Sequence, residues 1–127
     1  MHFIVVDDNK LDCFIAEKVI QKTGRSESVK SFMVAADALD YIIKAPAPGI
    51  KTMVFVDIQM PLMNGFEFVE AFEQKIPEHI RDQYVVNLLS SSINEIDMNR
   101  AKGFKCVHKF LNKPLTNDAI SAALEAA

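Results

Sequence analysis

Four short polar motifs in this sequence could do chemistry, and each comes directly after a run rich in apolar residues. They are Asp7-Asp8 after FIVV, Asp57 after MVFV, Ser90 after VVNLL and Lys113 after VHKFLN. Carboxylates that converge repel one another by about 4 kcal/mol per pair at 4 Å if the effective dielectric is near 20. Such a cluster calls for a cation, and oxygen ligands with room left for water suit Mg2+.

A carboxylate such as Asp57 can attack a phosphoryl donor if the charge that builds on the equatorial phosphoryl oxygens is neutralised. The Lys113 ammonium could bind one of these oxygens and Mg2+ a second. The Ser90 hydroxyl, together with a neighbouring backbone N–H, could bind the third. The four motifs therefore contain the groups that phosphoryl transfer to an aspartate requires.

The elements that must position these residues are five short β-rich runs, each followed by a turn and a helical pattern. The runs are Phe3 to Val6, Val29 to Met33, Met53 to Val56, Tyr84 to Leu89 and Val107 to Leu111. Three of them are nearly continuous apolar stretches, which is typical of parallel strands covered by helices on both faces. The sequence thus predicts a doubly wound α/β sheet. Ligands of such sheets bind beyond the carboxyl ends of the strands, so the four motifs should share one rim.

Residues at helical spacing predict the buried stripes of the first three helices. The stripes are Leu11, Phe14, Ile15, Lys18 and Val19, then Ala38, Leu39, Ile42 and Ile43, and then Phe66, Val69 and Phe72. Pro77 should end the third helix, Asn94 or Ser92 should cap the fourth, and Thr116 should cap the fifth. The charged stretch 75–83 predicts a solvent-exposed extension of the third βα unit.

Length and composition limit the classes of protein that remain. A chain of 127 residues predicts one domain over 1–127, and a net charge of -3 argues against binding to nucleic acid. Cys13 and Cys106 lack metal-ligand spacing, so we expect small buried hydrophobes in a reducing compartment. The start lacks an apolar signal segment, and no window holds eighteen uninterrupted apolar residues. We therefore expect a cytoplasmic protein that does not associate with a membrane.

Zinc is disfavoured as the metal of the predicted rim. Histidine and cysteine are the usual zinc ligands, and neither residue type joins the four motifs. The three histidines lie elsewhere in the sequence, at His2, His79 and His108.

Together, the motifs resemble those of response-regulator receiver domains, and the resemblance runs the whole chain. VVDDN matches the acidic pair of that family, and VDIQMPLMNG matches its phospho-acceptor Asp followed by Met-Pro and Gly. LLSSS and FLNKPL match its Ser or Thr and its Lys-Pro. The resemblance implies a flavodoxin-like (βα)5 fold with strand order 2-1-3-4-5. The segments DIQMPLMNGFEF and SSSINEID are most similar to those of receivers that stand alone, without an effector domain.

The resemblance also implies roles for the acidic residues and for the residue that follows the acceptor. Asp57 would accept the phosphoryl group and would also bind Mg2+. Asp8 would be a direct Mg2+ ligand, and Asp7 would act partly through water. The backbone carbonyl of Gln59 would complete the protein ligands.

The same resemblance implies a switch at the ends of the fourth and fifth strands. Ser90 would be the switch hydroxyl, although the run of three serines leaves Ser91 as the alternative. We prefer Ser90 because it directly follows the apolar run. Lys113 would be the phosphoryl partner, on a cis peptide bond to Pro114, and Phe110 would be the aromatic residue that changes position.

For function, the resemblance implies phosphorelay signal transduction in a two-component system. A sensor histidine kinase or phosphotransfer protein would supply the phosphoryl group in the presence of Mg2+. The protein would catalyse only its own phosphorylation and dephosphorylation. The face of the fourth helix, fifth strand and fifth helix would meet a downstream target, or a second copy in a homodimer.

Three other functions compete with this interpretation. A dehalogenase-type phosphatase needs a second Asp two residues after its nucleophile as general acid, and Gln59 stands there. A flavodoxin-like flavin carrier cradles a phosphate in its first loop, and Asp7 and Asp8 would repel that phosphate. The third alternative is a degenerate receiver that acts as an unphosphorylated scaffold, and the complete set of site residues argues against it.

Overall fold

The computed structural model describes residues 1–45 and 49–127, whose strands form one five-stranded parallel sheet. The strands are β1 (His2–Val6), β2 (Ser28–Phe32), β3 (Thr52–Asp57), β4 (Tyr84–Ser90) and β5 (Val107–Asn112). Their order is β2-β1-β3-β4-β5, and every neighbouring pair is parallel. This confirms the predicted doubly wound fold, and the boundaries of each predicted strand agree with those observed to within one residue.

Six helices connect and flank these strands within the described residues. They are α1 (Lys10–Lys22), α2 (Ala35–Lys44), α3 (Gly65–Lys75), α4 (Glu78–Arg81), α5 (Glu95–Lys102) and α6 (Asn117–Ala126). The one-turn helix α4 forms within the predicted extension 75–83, so the predicted fourth and fifth helices are α5 and α6. None of the helices that the structure describes is both long and apolar enough to cross a membrane.

Polar side chains begin four of the helices by accepting a backbone N–H of the first turn. Asn9 does so for α1, Asn64 for α3, Asn94 for α5 and Thr116 for α6. Each satisfies a donor that the helix itself leaves unpaired. Thr116 was predicted in this role, and between the two candidates for α5 the cap is Asn94.

The apolar core lies on both faces of the sheet, with β3 at its centre. Every residue of β3 is buried. Val54 and Val56 pack with apolar side chains of α2 and α3, whereas Met53 and Phe55 pack on the opposite face with those of α1 and α6. Burial on both faces explains why this strand reads as a continuous apolar run.

The stripe predicted for α1 is wrong, and one residue of the α2 stripe is also exposed. Leu11 and Phe14 are 64% and 54% exposed, and Ile43 is 48% exposed. The buried residues of α1 are instead Cys13, Ala16 and Ile20. Two of these side chains are small, so α1 can lie close to the sheet on that face, and the larger side chains then project into solvent. The predicted α3 stripe is confirmed, since all three of its residues are buried.

Candidate functional site

The predicted rim exists at the carboxyl end of the sheet. Asp57 and Ser90 are the last residues of β3 and β4, Asp7 directly follows β1, and Lys113 directly follows β5. The parallel register brings these strand ends together, since Asp57 pairs with Leu89 across β3 and β4. Residues far apart in the chain therefore meet in one small region.

Three carboxylates converge at this rim. Asp7, Asp8 and Asp57 each have a carboxylate oxygen within 4.8 Å of one on the other two, and Asp7 and Asp57 are buried. Local turns hold them, because Asn9 donates its N–H to Asp7 Oδ1 at 2.9 Å and Gln59 donates to Asp57 Oδ1 at 3.1 Å. A donor set made only of oxygen, open to solvent at the exposed Asp8, fits Mg2+ better than zinc.

The three histidines lie off this rim, as the sequence predicted. His2 begins β1 at the opposite end of the sheet, and its ring contacts Ser28. His79 lies on α4, and the ring of His108 contacts the carbonyl of Ala123. No imidazole of the described residues joins the acidic cluster.

Lys113 places its ammonium among the acids. Its Nζ lies 2.8 Å from Asp7 Oδ2, 3.3 Å from Asp57 Oδ2 and 2.7 Å from Asp12 Oδ2, and its side chain is 14% exposed. Burial alone would lower the pKa of Lys113, but contacts with Asp12, Asp7 and Asp57 outweigh it and raise that pKa. The ammonium thus stays charged and offsets part of the negative cluster.

Among the described residues, Asp12 is the one ion-pair partner of Lys113 that sequence reasoning missed. It lies in the first turn of α1, where its N–H is bound by the Asn9 side chain at 3.0 Å. An acidic residue in the first turn of a helix is usually explained by its favourable interaction with the helix dipole. Its position soon after the acidic pair was the available signal, but the pairing with Lys113 depends on where the start of α1 lies relative to the end of β5.

The electrostatic environment of Asp57 contains opposing contributions. Burial raises its pKa most, the Gln59 N–H lowers it, the Asp7 charge raises it, and the Lys113 charge and hydrogen bond lower it. The net pKa lies above its usual value of 3.8. Ionisation of Asp57 is therefore less favourable in the folded protein than in water, and an added cation would favour it.

Ser90 and Phe110 lie on the β4 and β5 side of the rim. Ser90 is fully buried, and its hydroxyl donates to the Ser92 carbonyl at 2.7 Å and accepts the Ser92 N–H at 3.1 Å. Ser91, the alternative in the sequence, is exposed. Phe110 is half-buried, pairs with Leu88 across the strands and packs against the core on the α3 and α5 side.

The backbone around these side chains has two features that the sequence indicated. The Lys113-Pro114 peptide bond is cis, as the resemblance implied. Gly65 begins α3 directly against the end of β3, and a Cβ at this position would lie 2.8 Å from the Asp57 carbonyl oxygen and from Ile58 Cα. Only glycine fits there without a shift, so Gly65 lets α3 start beside Asp57.

Comparisons with known proteins identify the family and the fold. A family model described as the response regulator receiver domain matches residues 3–125. A solved response regulator receiver protein from Dyadobacter fermentans is 33% identical, with a TM-score of 0.90 over 98% of this chain and 95% of that one. A two-component response regulator from Cytophaga hutchinsonii is 27% identical, with a TM-score of 0.89 over 98% of this chain and 93% of that one.

One curated relative is much longer than this chain. The hybrid signal transduction histidine kinase L of Dictyostelium discoideum is 27% identical over 123 residues, which are 96% of this chain and 7% of that protein. The chain therefore spans only a small part of this relative.

Proposed function

This chain belongs to the family of response regulator receiver domains, the regulatory phospho-acceptor domains of two-component phosphorelays, and we propose that Asp57 is its acceptor, with Mg2+ required. The observation that carries the proposal is the position of Asp57. Its carboxylate lies at the end of β3, within 4.8 Å of oxygens of Asp7 and Asp8 and 3.3 Å from Lys113 Nζ.

In the reaction, one Asp57 carboxylate oxygen forms a bond to phosphorus as the bond between phosphorus and the donor's leaving group breaks. The leaving group is the imidazole of a phosphohistidine, or acetate if acetyl phosphate is the donor. Lys113 already contacts Asp57 Oδ2, so its ammonium is placed to stabilise the negative charge that develops on a phosphoryl oxygen. Asp57 is nearly buried, which restricts water and strengthens this electrostatic contact.

The residues suited to hold Mg2+ are the side chains of Asp7, Asp8 and Asp57 together with the backbone carbonyl of Gln59. When bound, Mg2+ supplies positive charge opposite the phosphoryl oxygens and relieves the repulsion among the carboxylates. Gln59 stands where a phosphatase of the dehalogenase type would need an acid. This supports a protein that catalyses only its own phosphorylation and dephosphorylation.

The partners follow from this chemistry. A sensor histidine kinase or phosphotransfer protein donates the phosphoryl group, and the surface of α5, β5 and α6 changes for a downstream target or for a second copy. The test of the core proposal is incubation with acetyl phosphate, with Mg2+ or with EDTA, followed by intact-mass measurement. We expect one added phosphoryl group only with Mg2+, and an unmodified mass in both samples contradicts the proposal.

Asp8→Asn should weaken Mg2+ binding by at least about tenfold, because one carboxylate ligand is lost. The fold should remain intact or become slightly more stable, since Asp8 is exposed and its charge repels the other two acids. Titration calorimetry or amide chemical shifts would measure the affinity. Asp37→Asn, an exposed change on α2, is the matched control and should bind Mg2+ as the wild type does. Equal affinity in all three proteins would rule out Asp8 as a ligand.

The proposed switch begins at Ser90, whose hydroxyl is bound to the Ser92 backbone. A phosphoryl group on Asp57 adds a charge of about -1.5 to -2 and three acceptor oxygens, so it can draw this hydroxyl inward. Phe110 then turns into the space behind Ser90 and changes the neighbouring surface. A full reversal from about 1:99 to 99:1 needs about 5.5 kcal/mol, so Lys113 must contribute alongside one hydroxyl bond.

Ser90→Ala should therefore still accept phosphate but respond incompletely, with Phe110 remaining partly exposed. Structures with and without beryllofluoride, a mimic of the phosphoryl group, would show the Phe110 rotamer. The adjacent Ser91→Ala is the control and should respond as the wild type does, because Ser91 is exposed. An identical Phe110 rotamer in both wild-type states would eliminate this switch.

A further inference from the structure

The Lys113 ammonium is shared among three carboxylates. It donates a hydrogen bond to Asp57 Oδ2, and it forms shorter ion pairs with Asp7 and Asp12. Asp12 makes the shortest contact, at 2.7 Å, Asp7 lies at 2.8 Å, and Asp57 is the most distant at 3.3 Å. The residue that would take the phosphoryl group is thus the most distant of the three carboxylates around Lys113.

Asp12 differs from the other two partners in where it lies. Asp7 and Asp57 belong to the acidic cluster, whose third member is Asp8. Asp12 belongs to α1, and its side chain is 34% exposed. The Asn9 cap fixes its backbone at the start of that helix. Asp12 therefore lies outside the acidic cluster and is linked to it by its ion pair with Lys113.

Building on the function proposed above, we propose that Asp12 is a positioning residue that restrains Lys113 and limits its hold on a phosphoryl group at Asp57. For Lys113 to bind a phosphoryl oxygen on Asp57, its ammonium must shift towards Asp57, the most distant of the three carboxylates. The short contact with Asp12 opposes that movement. Asp12 thereby weakens the phosphorylated state and slows phosphoryl acceptance.

A general charge effect must be separated from this local restraint, and α1 offers a matched control. Burial and then the charges of Asp7, Glu17 and Asp12 raise the pKa of Cys13 to about 11. The charges of Glu17 and Asp12 thus both act on Cys13, although Glu17 lies five residues after Asp12 in α1. Glu17→Gln removes one negative charge near the site, as Asp12→Asn does, without removing a contact of Lys113.

The first measurement is the affinity for beryllofluoride at saturating Mg2+. We expect Asp12→Asn to bind beryllofluoride about three- to tenfold more tightly than wild type, since a partly exposed ion pair competes modestly. Glu17→Gln should change the affinity by less than about twofold, because it changes only the general field. Equal affinities of the two variants would overturn the inference and leave the proposed function standing. A wild-type protein that binds no beryllofluoride would overturn both.

Two further measurements separate positioning from a structural role of Asp12 in α1. The carboxyl carbon resonance of Asp12 should move when beryllofluoride binds to wild type, because Lys113 leaves that carboxylate. In a Lys113→Met background, Asp12→Asn should change the rate of phosphorylation by acetyl phosphate no more than Glu17→Gln does. An unmoved resonance, or an undiminished gain without Lys113, would show that Asp12 does not act through Lys113.

Discussion

Asp57→Asn is expected to abolish phosphoryl acceptance while the fold is retained. The amide has nearly the shape of the carboxylate but cannot form the acyl phosphate, so the loss should be complete rather than partial. Incubation with acetyl phosphate and Mg2+, followed by intact-mass measurement, would compare this variant with wild type. Asp37→Asn makes the same chemical change at an exposed position of α2 and should be phosphorylated normally.

An adduct that persists in Asp57→Asn would show that another side chain is the acceptor. Asp7 and Asp8 are the nearest alternatives, since both lie within the acidic cluster. Peptide mapping of such an adduct would identify the residue. If the variant loses both the adduct and the circular dichroism spectrum of the folded protein, the loss of the adduct reflects misfolding. A variant that loses the adduct but keeps that spectrum supports Asp57 as the acceptor.

The same variant should also be more stable than wild type near neutral pH in EDTA. The pKa of Asp57 is raised in the folded protein, mainly by burial, so ionisation of this carboxyl disfavours folding. This cost is fully present above the raised pKa, and it disappears as the pH falls below the ordinary value of 3.8. The stability difference between Asp57→Asn and wild type should therefore shrink on acidification. Urea denaturation at several pH values would measure it.

Lys113→Met is expected to reduce the free energy of unfolding of the metal-free protein by about 2 to 4 kcal/mol, because it leaves buried carboxylates without their cation. Asp7 and Asp57 are both nearly buried and both contact the Lys113 ammonium. Urea denaturation in EDTA would measure the loss. Added Mg2+ should recover part of the lost stability, since it restores positive charge at the same cluster.

The chain offers a matched control for this second change. Lys44 pairs with Asp40 at 3.0 Å, but the two side chains are 75% and 59% exposed. Lys44→Met should therefore alter stability by no more than about 0.5 kcal/mol. Adding Asp57→Asn to Lys113→Met should return part of the stability, because one of the unpaired charges is gone. Equal losses for Lys113→Met and Lys44→Met would mean that Lys113 does not offset the buried acids.

Local patterns in the sequence were sufficient to predict the strands and the rim. A strand buried on both faces, such as β3, must be apolar at nearly every position, so it reads as a continuous run. The residues that end such runs must then lie at one edge of a parallel sheet. This is why the sequence alone predicts that Asp57, Ser90 and Lys113 lie together, and why it also indicates the caps of α5 and α6.

The buried face of α1 could not be predicted by the same means. Helical spacing is equally good for the stripe containing Leu11 and Phe14 and for the stripe of Cys13, Ala16 and Ile20. Hydrophobicity favours the first stripe, yet the second is buried. The choice depends on how closely α1 approaches the sheet, and small side chains permit the closer packing.

The partners of Lys113 were likewise decided by tertiary structure. The sequence identified Asp57 and the acidic pair as neighbours of Lys113, because all of them follow strands of one sheet. Asp12 lies on a helix, and its short contact arises from where α1 begins relative to the end of β5. The spacing of apolar residues along the sequence indicates which residues share a face of one element. A contact between side chains of two elements depends instead on the distance and angle at which those elements pack.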